Sequence, residues 1–197
     1  MKSTEVAGQD ALHGGRSRRQ LAAARDLTLG GLFGALALVL PVIFHAVGLG
    51  QVFLPMYLPV LALGLLASWE VALLAGLMVP LLSAALSGMP PLPIAPLMVV
   101  ELAALGAVSS LARSRGLGVW PAAVAGCLAA RMAGLAVLLS VLPYFGLHQS
   151  AYEYAIAGVI ASAPGMALLL TVVPGAVYAL ERASILGRRD RRQRTHG

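Results

Sequence analysis

The sequence predicts an all-α integral membrane protein with six transmembrane helices and both termini in the cytoplasm. Two observations carry this prediction: the supply of long apolar runs and the grouping of the basic residues between them. Of the 197 residues, 59% are hydrophobic and 11% are charged, against roughly 45–50% and about 25% in soluble domains. Mean hydropathy is +0.85. A water-soluble domain of this size needs a largely polar surface and could not hide so much apolar area. That excludes a cytosolic globular enzyme, a disordered chain and a disulfide scaffold. A β-barrel is excluded as well, because the runs are continuously apolar instead of alternating.

A spanning helix needs about 20 mostly apolar residues. Runs at 27–47, 52–67, 71–87, 94–112, 119–142 and 155–180 meet or approach that length. The second and third are short enough to suggest one re-entrant hairpin. Between them lies the polar turn Ser68-Trp69-Glu70, whose Trp suits the membrane interface and favours two separate crossings. Lys2, Arg16, Arg18, Arg19 and Arg25 precede the first run, and Arg113 and Arg115 lie between the fourth and fifth. Arg182, Arg188, Arg189, Arg191, Arg192 and Arg194 follow the last. Six crossings place all three groups on one side, which the positive-inside rule makes cytoplasmic. The opposite loops contain no Lys or Arg. The chain therefore divides into a basic tail at 1–26, a transmembrane domain at 27–181 and a second basic tail at 182–197, with residues 1–25 and 187–197 expected to be flexible. The first run is too long for a signal-peptide core and is followed directly by others, so it is read as a retained helix.

Net charge is +6 and the isoelectric point is near 10.2. Because the basic residues sit in tails and one short loop, they read as topology signals facing the lipid bilayer, with no nucleic-acid partner. Catalytic patterns are missing from the sequence. There is no phosphate-binding Gly-rich loop with Lys-Ser/Thr, no His-Glu-x-x-His and no metal-ligand spacing. Ser83, Ser87, His45 and His148 lack any nucleophile-elbow context. Cys127, the single cysteine, makes neither an intramolecular disulfide nor a thiolate metal site. No catalytic residue, metal or cofactor is expected, and no repeat relates residues 27–112 to 119–180.

The outer loops and two buried charges carry the functional signal. Pro55 and Pro59 force an irregular start to the second run, and such irregularity at membrane depth is tolerated where it lines a cavity or is buried in protein. The loop 143–154 holds Tyr144, Phe145, His148, Gln149, Tyr152, Glu153 and Tyr154, and reads equally as an interfacial aromatic belt or as a lid over a ligand. Glu101 and Arg131 lie inside the fourth and fifth runs. A charge at the bilayer centre costs about 2.5–3.5 kcal/mol on insertion scales, so each should face the bundle interior and find a partner. The two readings are a structural ion pair and the polar floor of an outward-facing binding site. Small residues recur at four-residue spacing, which permits close helix approach. In the first run these are Gly30 with Gly34 and Gly31 with Ala35, read either as partner docking or as internal packing. In the fifth run they are Ala122, Gly126, Ala130 and Gly134, read as internal packing.

The segments Gln51-Val-Phe-Leu-Pro-Met-Tyr-Leu-Pro59, Pro80-Leu-Leu-Ser-Ala-Ala-Leu-Ser-Gly-Met-Pro-Pro91 and Glu101-Leu-Ala-Ala-Leu-Gly106 resemble the substrate-binding S components of energy-coupling factor vitamin transporters. Ala130-Arg131-Met-Ala-Gly134, Ala163-Pro-Gly-Met166 and Val173-Pro174 extend the resemblance across roughly residues 27–181. The chain departs from the pattern at Tyr57, where members commonly show His, and at Leu105, where they commonly show Tyr. The resemblance implies a six-helix protein of a bacterial or archaeal cell membrane that binds a water-soluble vitamin or precursor from outside. It also implies partners: a transmembrane T component and two ATP-binding subunits that drive delivery. Its docking motif maps onto Gly31 and Ala35, with Gly30 and Gly34 as the other register. Its outer pocket maps onto Glu101, Arg131, Gln51, Tyr144, His148 and Tyr152. The sequence leaves a stand-alone secondary transporter or channel, or a membrane-embedded enzyme or scaffold, as the other classes.

Overall fold

The computed structural model describes residues 2–46, 48, 55–88, 90, 94–141 and 163–183. Among them the chain is entirely helical: α1 (Lys2–Ala46), α2 (Tyr57–Leu66), α3 (Trp69–Ser87), α4 (Ala95–Ser114), α5 (Val119–Val141) and α6 (Ala163–Ala183). All except α2 contain a stretch long and apolar enough to cross a membrane, which makes this a multi-pass helical membrane protein. In lipid every backbone N–H and C=O must find a partner within its own segment, and a helix achieves this for an apolar run. Pro41, Pro80 and Pro174 lie within helices, as membrane helices tolerate. The ends follow local chemistry. Gly88 closes α3 in the left-handed conformation at φ 69°, with its N–H on the Ala84 carbonyl at 3.0 Å. At the other end, α4 opens with Pro96 in its first turn, where a missing N–H costs nothing.

The first apolar run extends further than expected. Residues 1–25 read as a flexible tail from their polarity, yet α1 is one continuous helix from Lys2. No proline occurs before Pro41, and the stretch Arg18–Arg25 is built largely of strong helix formers such as Leu, Gln, Ala and Arg. The tail beyond residue 183 lies outside the described residues. The second run is shorter than expected: α2 has 10 residues, about 15 Å of helix against a hydrocarbon core of about 30 Å.

The middle of the bundle is α4, which packs on α2, α3 and α5, while α1 packs on α2 and α3. Lipid tails are as apolar as the helices, so close van der Waals contact has to hold them together. Glycines make those contacts possible. A Cβ on Gly76 of α3 would stand 2.6 Å from the Ala103 nitrogen, and one on Gly106 of α4 would stand 2.7 Å from the Ala72 carbonyl oxygen. On α5, Ala122, Gly126, Ala130 and Gly134 are all buried, and a Cβ on Gly126 would stand 2.8 Å from the Leu105 carbonyl oxygen. This small-residue row is the α4–α5 contact. Leu61, Leu102, Leu105, Leu169 and Val177 complete a core shared by α2, α4 and α6.

Side-chain contacts gather the basic residues at one end. Asp26 accepts a hydrogen bond from the Ser68 backbone N–H at 3.0 Å, and Ser110 donates to the Ala67 carbonyl at 2.7 Å. Arg113 pairs with Glu181 and donates to the Leu117 carbonyl at 3.2 Å. These contacts bring the neighbourhoods of Arg25, Arg113, Arg115 and Arg182 to the same face of the bundle. Trp69 and Trp120 are exposed at the helix starts on this face, as interfacial tryptophans are.

Candidate functional site

Three helices bring three polar side chains together inside the apolar bundle. Tyr57 is the first residue of α2, Glu101 lies about two turns into α4, and Arg131 lies in the middle of α5. The Tyr57 hydroxyl donates to Glu101 Oε2. Arg131 Nη1 stands 3.8 Å from Glu101 Oε1. Tyr57 is buried. The side chains of Glu101 and Arg131 are 9% and 28% exposed, so the carboxylate is the enclosed partner and the guanidinium the accessible one.

The backbone explains why the carboxylate sits where it does. A Cβ on Gly134 of α5 would stand 2.8 Å from both Cγ and Cδ of Glu101 and closer still to Oε1. Only glycine leaves the gap that the Glu101 side chain occupies. One turn further along α4, Leu105 is fully buried where the Glu101 face continues, so the polar cluster rests on an apolar floor. The cluster lies towards the end opposite the basic face. A hydrogen-bonded and ion-paired carboxylate is how a buried acid is accommodated in a membrane.

Glu101 and Arg131 are thus brought together as their positions in the sequence suggested. Gln51, Tyr144, His148 and Tyr152 lie outside the described residues. Tyr57 is the member that sequence reasoning did not place in the site. Its signal was a tyrosine between Pro55 and Pro59 at the irregular start of a short run, and it was read only as a departure from the resembled pattern. On α1, a Cβ on Gly30 would stand 2.8 Å from Val71 Cγ1, so Gly30 faces α3. Gly31 and Gly34 have no neighbouring atom within 4 Å of a Cβ, and Ala35 is exposed. The two registers considered for this helix therefore differ: one begins at a packed glycine and the other lies on open surface.

A shallow cleft of about 500 Å³ lies at the basic face and is lined by Trp69, Glu70, Ser110, Arg113 and Ser114 among others. It is on the opposite side of the bundle from the polar cluster, and several of its polar groups are already committed: Ser110 to Ala67, and Arg113 to Glu181 and Leu117. The chain matches no family model, no curated protein and no solved structure.

Proposed function

We propose that this protein captures a small water-soluble solute, of the vitamin or vitamin-precursor class, at the Tyr57–Glu101–Arg131 cluster from the outside of a bacterial or archaeal cell membrane. In this reading it works as the substrate-binding component of an energy-coupling factor transporter. A transmembrane T component and two ATP-binding subunits then supply the energy. The observation that carries the proposal is a polar cluster with an enclosed, partnered carboxylate that includes the first residue of a helix too short to cross. A 10-residue helix covers only about half of the hydrocarbon thickness. Polar side chains at that depth are costly and mark solute or ion paths. The sequence resemblance supplies the division of labour, and the lack of a nucleotide-binding motif agrees with it.

The docking face is assigned to Gly31 and Ala35, which sit on open surface of the least buried helix. Small residues there would let a partner helix approach to van der Waals distance. The test is uptake in cells that express the chain alone, the chain with an energy-coupling module, and the chain carrying Gly31→Leu with the module. The reading expects accumulation of a labelled vitamin only with the module present, and loss of accumulation in the Gly31→Leu variant while solute binding persists. Equal accumulation by the chain alone would replace this reading with a stand-alone transporter.

A further inference from the structure

We infer that the cleft at the basic face holds the headgroup of an aminophospholipid of the phosphatidylethanolamine type, its ammonium on Glu70 and its chains along α3. The cleft lies between the turn that joins α2 to α3, with Ser68, Trp69 and Glu70, and the end of α4, with Arg113 and Ser114. The charges of its lining do not cancel. Arg113 is offset by Glu181, and its other contact is the Leu117 carbonyl. Glu70 is exposed, and its carboxylate has neither an ion pair nor a hydrogen bond among the described residues. The lining therefore carries one uncompensated negative charge, which attracts a cation and repels an isolated phosphate.

What delivers the cation is set by the surface beyond the cleft. Glu70, Leu74 and Met78 recur at four-residue spacing, so they form one stripe of α3. Leu74, Met78 and the following Leu81 are all exposed, and on a helix that crosses the membrane an exposed apolar stripe meets lipid chains. From Glu70 to Leu81 the helix rises about 16 Å, close to half of a hydrocarbon core of about 30 Å. An amphiphile with a cationic head and apolar chains matches this stripe from end to end, whereas a soluble cation or a basic peptide matches only its first residue. Trp69 stands beside Glu70 at headgroup level, and its ring face attracts an ammonium. A primary ammonium brings three N–H donors to the carboxylate, and the methyl groups of choline hold the charge away from it. The phosphate, two carbons from that ammonium, has Arg115 to turn to. Arg115 follows Ser114 at the end of α4, is exposed and makes no ion pair among the described residues. Glu70 and Arg115 thus supply the opposite charges that a zwitterionic headgroup needs. The cleft is at the other end of the bundle from the Tyr57–Glu101–Arg131 cluster, so this inference stands apart from the solute-capture reading.

The experiment places the purified full chain in nanodiscs with equal parts of phosphatidylethanolamine, phosphatidylcholine and phosphatidylglycerol of matched chains. Lipids that stay on the protein after its release are counted by native mass spectrometry. Phosphatidylethanolamine should be retained about two- to fivefold over phosphatidylcholine, the ratio that an exposed ion pair gives. Mono- and dimethylated ethanolamine lipids should fall between them in the wild-type chain. Glu70→Gln, a substitution on the surface with little effect on folding, should bring the ratio close to one. Arg115→Gln should lower the retention of all three lipids and keep their order. Equal retention of the ethanolamine and choline lipids by wild type, or a preference that survives Glu70→Gln, overturns the site. Phosphatidylglycerol retained above phosphatidylethanolamine overturns the ammonium as the recognised group and assigns selection at this face to its arginines. Unchanged retention in Arg115→Gln overturns the phosphate contact.

Discussion

Two Arg–Glu pairs tie α4 to its neighbours, one at each end of the bundle, and their surroundings differ. At the basic face Arg113 of α4 meets Glu181 of α6, with side chains 26% and 39% exposed. Inside the bundle Glu101 of α4 meets Arg131 of α5, with side chains 9% and 28% exposed. The residue types are the same, and the sequence pairs an acid with a base in both places. What separates them is water. At the face the Glu181 carboxylate keeps much of its hydration, so the pair adds little beyond what the solvent already provides. Inside, the carboxylate has given up its water, and Tyr57 and Arg131 replace it. A pair of the first kind can be broken cheaply. A pair of the second kind is maintained because loss of one member strands the other, so its presence in an apolar bundle asks for a functional reason.

The largest effect should come from breaking the inner pair on one side only. Arg131→Met leaves the enclosed Glu101 carboxylate without its cation, and removal of one partner of a buried pair costs about 3–5 kcal/mol. The expected outcome is a large drop in the thermal midpoint in detergent, or loss of monodisperse protein on size exclusion. Glu101→Gln combined with Arg131→Met removes both charges and keeps the volume close to native. It should recover most of the loss. A single variant as stable as wild type would show that the two pairs do not differ in kind.

Tyr57→Phe comes next, since it removes one donor to Glu101 and keeps the ring. A hydrogen bond to a charged group contributes about 1.5–3 kcal/mol in soluble proteins, and bonds between membrane helices average nearer 0.6, so a loss of about 1–2 kcal/mol is expected. Urea or heat unfolding in micelles measures it. No change at all would separate the tyrosine from the cluster and reduce the inner site to an ion pair like the outer one.

Much of this contrast could be read from the residues. The apolar runs and the three basic groups led to an all-helical membrane bundle, and the cost of charge at membrane depth led to the pairing of Glu101 with Arg131. The spacing of Ala122, Gly126, Ala130 and Gly134 pointed to internal packing, without naming α4 as the helix they face. Other features were not legible because they depend on depth and on contacts between segments far apart in the chain. Tyr57 and Glu101 are 44 residues apart, and hydropathy carries no information on how deep α2 begins. The Asp26 contact with the Ser68 N–H joins a presumed tail boundary to a turn, which no local pattern encodes. The helix through residues 2–25 was hidden by its polarity, although its composition of Ala, Arg, Gln and Leu near the membrane favours helix on propensity grounds. The exposure of Arg131 relative to Glu101 is likewise a property of packing, set by Gly134, and no residue type announces it.

The smallest effect is expected at the outer pair, and it should differ in kind as well as in size. Arg113→Gln removes a guanidinium that contacts Glu181 and donates to the Leu117 carbonyl at 3.2 Å. Glu181 is not stranded by this change, because 39% of its side chain already meets solvent. The Gln amide can still donate to a carbonyl at the end of α4, so the backbone contact is only partly lost. Exposed pairs contribute about 0.2–1 kcal/mol, and the variant should fall within that range. Salt supplies the discriminating measurement. At 1 M ionic strength the screening length shrinks to about 3 Å, so any difference between wild type and Arg113→Gln should vanish there. The deficit of Arg131→Met should persist at the same salt, because ions do not reach a carboxylate enclosed by Tyr57 and Gly134. A salt-insensitive loss in Arg113→Gln would mean that the outer pair is as enclosed as the inner one, and the contrast between the two ends of the bundle would fall.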